Sequence, residues 1–132
     1  MTPKVLLWVT IVINALHGVG LMLGAKEAEA IGVPNITPEA LNMGAGAYEI
    51  AAFFNFFLAS VLIAARNFEA AALRTLSKGI AIGFVFLFAG VIYHMFTLIP
   101  GQAPPMPAGV IFGVITLWAL YVAFGTKDPE VA

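Results

Sequence analysis

Apolar residues run almost unbroken through four stretches of the chain, about 5–23, 44–65, 79–99 and 106–124, and polar residues gather between them. Each stretch is close to the roughly 20 residues a helix needs to cross the hydrocarbon core of a bilayer. None alternates polar and apolar positions as a barrel strand does, and a lone strand leaves its backbone groups unpaired in lipid, so the pattern predicts helices. The expected fold is all-α: four transmembrane helices in an up-down-up-down bundle, forming a single membrane domain over 1–132 with no soluble domain.

The connections carry helix punctuation. In the long connection 24–43, Thr37, Pro38 and Glu39 read as an N-cap, a first-turn proline and an acid favourable to the helix dipole, so the second helix is expected to begin near Pro38. Asn67 is a candidate cap for a short amphipathic lead into the third helix. Pro100, Gly101 and the run Pro104, Pro105, Met106, Pro107 end the third helix and restart the chain, while Gly125 and Pro129 close the fourth. Lys4 before an apolar run resembles a signal peptide, but that run is longer than the roughly 7 to 15 residues of a signal core and reads as a retained span.

Composition agrees with the pattern: 61% of residues are hydrophobic, only 10% charged, and the mean hydropathy is +0.99. Soluble domains carry roughly 25% charged residues. Lys4, Arg66, Arg74, Lys78 and Lys127 share one side of the predicted topology, against Lys26 on the other, which puts both termini in the cytoplasm and the protein in the cell inner (cytoplasmic) membrane as a multi-pass chain. The same cations are suited to anionic headgroups. A net charge of -1 gives no reason to expect nucleic acid, and the absence of cysteine removes thiolate metal sites and iron–sulfur clusters.

Small residues recur at the spacing that lets membrane helices approach closely: Gly20 and Gly24, Gly109 and Gly113, and a stripe of Gly79, Gly83, Gly90 and His94. On this reading His94 points at protein rather than lipid. Trp8, Trp118 and Tyr121 suit an inner interfacial belt. Asn55 suits packing or a bond across helices, and Phe53, Phe54, Phe56, Phe57, Phe84, Phe86 and Phe88 suit lipid contact or core filling.

The polar residues inside the spans are few. Asn14 and His17 lie three apart on one face of the first helix, Glu49 is the lone carboxylate well inside a span with Asn42 seven residues before it, and Tyr93 and His94 close the third helix. An ionisable residue in a membrane helix is costly, so it faces the interior with a partner. Measured from the ends of the apolar stretches at ~1.5 Å per residue, His17, Glu49 and His94 fall roughly 7 to 10 Å below the outer surface, in one layer.

Such a layer supports several chemistries. His17, Glu49 and His94 are a ligand set suited to a transition metal such as zinc, copper or non-haem iron. The two histidines could hold haem axially. Without a metal, Glu49 and a histidine form an acid/base pair for a quinone or another lipophilic small molecule, with Asn14, Asn42 and Tyr93 as substrate-binding neighbours. The structural alternative is a hydrogen-bond network that fixes helix register, in a non-catalytic accessory subunit of a larger membrane complex or a homo-oligomer. Transport fits less well, because one carboxylate makes no continuous polar path.

Several segments resemble the DoxX-like family of small four-helix integral membrane proteins: "GVGLMLGAK" at 18–26, "IGVP" at 31–34, "YEIAA" at 48–52, "AARNFEAAAL" at 64–73 and "VIYHMF" at 91–96. The resemblance covers nearly the whole chain and implies a four-helix bundle associated with membrane oxidoreductase chemistry, since some relatives are subunits of quinone-reducing thiosulfate oxidation systems. Glu49 and His94 match the family's second-helix acid and third-helix histidine. The first helix lacks the arginine that relatives often carry, Lys26 matches the following lysine only loosely, and Asn14 and His17 stand in the membrane instead, which points to a variant site.

Overall fold

The structure, a computed structural model, describes residues 2–33, 35–98 and 106–125. Helix α1 spans Pro3–Gly32 and α2 spans Pro38–Ala64; a 3-10 turn follows over Ala65–Asn67, then α3 over Ala70–Thr97 and α4 over Met106–Leu120, extended by a π turn over Tyr121–Gly125. No strand occurs among the described residues, and all four helices are long and apolar enough to cross a membrane. The surface is correspondingly greasy, with Phe54 69% and Phe86 73% exposed. Soluble monomers rarely present contiguous apolar patches of this kind. The chain is a multi-pass helical membrane protein that meets lipid through these side chains.

The helices outlast the apolar stretches. α1 has 30 residues and continues through the "AKEAEAIG" segment, because alanine, glutamate and lysine are strong helix formers whatever the solvent. The expected connection 24–43 is therefore mostly helix, and only 33–37 link α1 to α2. Asn35 takes a left-handed φ of 59°, a conformation asparagine tolerates better than most residues. The Ala40 amide donates to Thr37 Oγ1 at 3.3 Å and the Leu41 amide to the Thr37 carbonyl at 2.9 Å, so α2 starts at Pro38 under the expected cap.

The inner turn departs from expectation. Asn67 sits in the 3-10 turn, and Glu69 occupies the N-cap position of α3 with extended backbone (φ -62°, ψ 159°) and no side-chain cap bond. Residues 70–78 are no separate amphipathic lead but the first turns of a continuous 28-residue helix. The stop signals at 100–105 and at Pro129 lie outside the described residues; Pro107 falls in the first turn of α4, where a missing amide costs nothing.

The chain divides into two compact units, the first holding residues 2–8, 65–98 and 106–125 and the second residues 9–64 among those described. In the first, α3 and α4 run antiparallel. A β-carbon placed on Gly109 would lie 3.0 Å from Met95 Sδ, and one on Gly113 would lie 3.3 Å from the Phe88 ring. One turn further, the buried Thr116 hydroxyl lies 3.1 Å from the Phe84 carbonyl across the helix pair and 2.7 Å from the Phe112 carbonyl of its own helix. Glycines and a threonine on α4 thus receive the large residues of α3. Val122 and Ala123 in the π turn are fully buried, and Tyr121 lies over Gly125, where a β-carbon would sit 2.9 Å from its ring.

In the second unit α1 and α2 form an antiparallel hairpin. A β-carbon on Gly18 would lie 2.6 Å from the Phe56 ring, and one on Gly44 would collide with the Glu29 carboxyl. Ala45, Ala52 and Ala59, seven residues apart, form the buried seam of α2. Small side chains again permit the close approach that membrane helices need when water provides no driving force between them.

Candidate functional site

Each polar residue singled out from the sequence sits on a helix, Asn14, His17, Asn42 and Glu49 in the second unit and Tyr93 and His94 in the first. On α1, Asn14 is half-buried and its Nδ2 donates to the Thr10 carbonyl at 2.8 Å, a bond within its own helix; His17, one turn on, is exposed. On α2, Glu49 is half-buried and Asn42 exposed. On α3, the Tyr93 and His94 rings meet edge to face, with centroids 5.4 Å apart and planes at 67°, and both residues are exposed.

Within the second unit, His17 and Glu49 do not share the depth expected of them. Side chains on a helix lean toward its N-terminus, so the contacts of Phe56 with Gly18 and of Glu29 with Gly44 place the Glu49 backbone opposite about Leu21–Leu23. That is four to six residues from His17, or roughly 6 to 9 Å along the hairpin. Because the helices are antiparallel, the two side chains lean apart. Depth had been counted from the ends of the apolar stretches, whereas helical continuation of α1 past 23 and of α2 before 44 sets the register. Among the described residues of either unit, no three histidine, aspartate or glutamate side chains are grouped to hold a metal ion.

The glycine stripes also resolve differently from expectation. Gly109 and Gly113 do pack against α3, but a β-carbon on Gly79, Gly83, Gly90, Gly20 or Gly24 would meet nothing within 4 Å. Within its own unit the α3 stripe is therefore uncovered, and His94 on it is exposed rather than turned against α4. Spacing identifies a face of a helix and says nothing of which neighbour, if any, lies against it.

What the uncovered stripe forms is a groove. Gly83, Phe86, Leu87, Gly90, Val91 and His94 line an open concavity of about 530 Å³ on α3. The glycines make its floor, the aliphatic and phenyl groups its walls, and His94 its only ionisable group, at the end nearer Thr97. Its shape and polarity suit a long apolar molecule with one polar end. Sequence reasoning recorded the stripe as packing and missed the groove; the signal was the histidine in register with the glycines.

Asn55 donates to the Ala51 carbonyl at 2.8 Å, within its own helix and not across to another. An interhelical bond from Thr116 was not anticipated, although Thr116 follows Gly113 on the same face. Compared with protein-family models, curated proteins and solved structures, the chain matches none.

Proposed function

We propose that this protein is a small, redox-associated membrane protein that binds a quinone-like or similarly lipophilic molecule and moves protons to or from it. The observation that carries the reading is the open α3 groove, apolar along its length with His94 at one end. An isoprenoid or acyl tail lies over Gly83 and Gly90, and the oxygen-bearing head reaches the imidazole. Tyr93, edge-on to His94, restricts the ring's orientation. A histidine can donate or accept a proton near neutral pH, which is what a quinone oxygen requires as it is reduced or its quinol oxidised. Electrons come from a redox partner.

Glu49 is the second proposed proton-carrying group. It is half-buried in a span, and an intramembrane carboxylate is costly enough to be a functional candidate by default. His17 is proposed as a third protonatable group and Asn14 and Asn42 as polar neighbours of the outer leaflet, with the chain in the cytoplasmic membrane and both termini inside. The DoxX-like resemblance, through Glu49 and His94, supports the same assignment.

The test is direct. Chain purified in mild detergent is extracted and its quinone measured against the variants His94→Leu and Glu49→Gln. The reading expects bound quinone in the parent, its loss in His94→Leu, and retained quinone but lost proton-coupled turnover in Glu49→Gln. Equal quinone in parent and His94→Leu, or unchanged turnover in Glu49→Gln, overturns it.

A second reading is favoured by a separate observation. The open faces at Gly20 and Gly24 and at Gly79 and Gly83 are surfaces on which another helix can pack closely. They suit an accessory subunit of a larger membrane complex or a homo-oligomer, and a stable co-purifying complex without bound quinone distinguishes that case.

A further inference from the structure

Helix α2, in the second unit, carries an open concavity of its own. Ile50, Phe53, Phe54 and Phe57 line it over two successive turns, and it measures about 460 Å³. The three phenylalanines are 62%, 69% and 66% exposed, so most of each side chain is uncovered by protein.

Glu49 stands at the rim. At 3.6 residues per turn it lies about 40° round the helix from Phe53, between the concavity and the buried seam of Ala45, Ala52 and Ala59. Glu49 and Phe53 are one turn apart and so adjacent on the helix surface. A side chain on a helix leans toward the N-terminus, which carries this carboxylate over the turn that holds Gly46. A β-carbon on Gly46 would meet nothing within 4 Å, so there is open space beside the carboxylate on the concavity's side. Glu49 is half-buried, and among the described residues it has neither a hydrogen bond nor an ion pair; Lys26, the lysine of the same unit, is exposed and makes no ion pair with it.

Carboxylate and rings lie roughly 7 Å inside the apolar stretch 44–65. A carboxylate at that depth is stabilised by a counter-charge. The faces of phenyl rings also attract cations, more strongly where water is excluded. Both features select the same sign of charge. The concavity selects the rest of the molecule. A small ammonium ion gives up its water there for no apolar contact, whereas a cation carried on aromatic or alkyl groups buries them against Phe53, Phe54 and Phe57.

We infer that this face of α2 binds a lipophilic organic cation, with its charge against Glu49 and its apolar groups in the concavity. Phe53 supplies the ring nearest the charge, and Ile50, Phe54 and Phe57 hold the apolar body. The occupant differs from a quinone in charge, and the site shares no residue with the α3 groove. The carboxylate that pairs with the cation is the one proposed above to carry a proton, and it holds one or the other.

The experiment measures tetraphenylphosphonium bound to the full chain in mild detergent by equilibrium dialysis, after subtraction of uptake by protein-free micelles. Tetraphenylborate serves as a probe of the same shape and opposite charge. The parent chain is expected to bind the cation saturably and to show no saturable site for the anion. Glu49→Gln weakens cation binding about 50-fold, the value for unit charges ~7 Å apart at an effective dielectric constant of ~20. Phe53→Leu weakens it about two- to fivefold, the worth of one cation–π contact. Phe96→Leu, on α3 and 83% exposed, leaves it unchanged. Absence of saturable cation binding by the parent chain, or equal binding of the anion, overturns the proposal whether or not the variants fold. Glu49→Gln binding as tightly as the parent overturns it, as does a Phe96→Leu loss equal to that of Phe53→Leu. So does displacement of the probe by an equal concentration of choline, which has the charge without the apolar groups.

Discussion

Replacing Thr116 by valine tests how α3 and α4 are held together. The side chain is 5% exposed, its hydroxyl lies 3.1 Å from the Phe84 carbonyl and 2.7 Å from the Phe112 carbonyl, and its single proton is shared between them. Both carbonyls belong to helical residues with an amide four positions on, so removing the hydroxyl strands no buried acceptor. The cost is that of one interhelical bond in a membrane, about 0.6 kcal/mol on average and up to about 1.7. Valine preserves the branched shape that fills the space beyond Gly113. Thr116→Ser keeps the hydroxyl and loses only a methyl group, and Thr116→Ala loses both. Reversible unfolding in mixed detergent micelles, followed by helical circular dichroism, measures the differences. The expected order of stability is parent, serine and valine close together below it, then alanine, with valine down about threefold in the folding equilibrium. A valine variant as stable as the parent refutes the contribution of the bond. A loss well above about 2 kcal/mol means that the threonine does something beyond bridging two helices.

Three further outcomes follow from the packing and the proposed site. Gly18→Ala places a methyl 2.6 Å from the Phe56 ring and is expected to destabilise the α1–α2 hairpin by about 1–3 kcal/mol, with Phe56→Ala in the same chain recovering part of the loss; the same unfolding assay reads both. Gly83→Ala meets open space, so helix propensity raises stability by up to about 1 kcal/mol, while quinone retention falls because the groove floor is filled. An absorption spectrum with elemental analysis of the purified protein separates the proposed chemistries: acid/base chemistry without a metal expects neither a Soret band nor stoichiometric metal, and either one refutes it.

The number and position of the helices were legible because four windows of about twenty apolar residues have no other stable form in lipid. Their ends were legible only where a side chain marks them. Thr37 and Pro38 announce α2, but nothing apolar marks where α1 stops, and its Ala, Glu and Lys residues carry the helix on to Gly32. That continuation also moved the candidate site. Equal depth for His17 and Glu49 holds if helices end where apolar sequence ends, and the hairpin contacts of Gly18 and Gly44 show that they do not. The glycine stripes illustrate a different limit. Gly109 with Gly113 and Gly79 with Gly83 read alike in sequence, yet one pair packs against large side chains while a β-carbon on either member of the other would meet nothing within 4 Å, because the identity of the facing residue is a tertiary fact.

The unequal lengths of the helices bear on which membranes suit the protein. α1, α2 and α3 have 30, 27 and 28 residues, roughly 40 to 45 Å of helix, so each has length to spare and can tilt or extend into the headgroups. α4 and its π turn together have 20, about 30 Å, which matches an average hydrocarbon thickness with none left over. A thicker bilayer must thin around α4 or draw its ends inward, at a fraction of a kcal/mol per Å, while the longer helices keep their backbone hydrogen-bonded beyond the core. The shortest described helix thus has the least length to spare, and α4 is where a change of bilayer thickness is felt with the least room to extend into the headgroups.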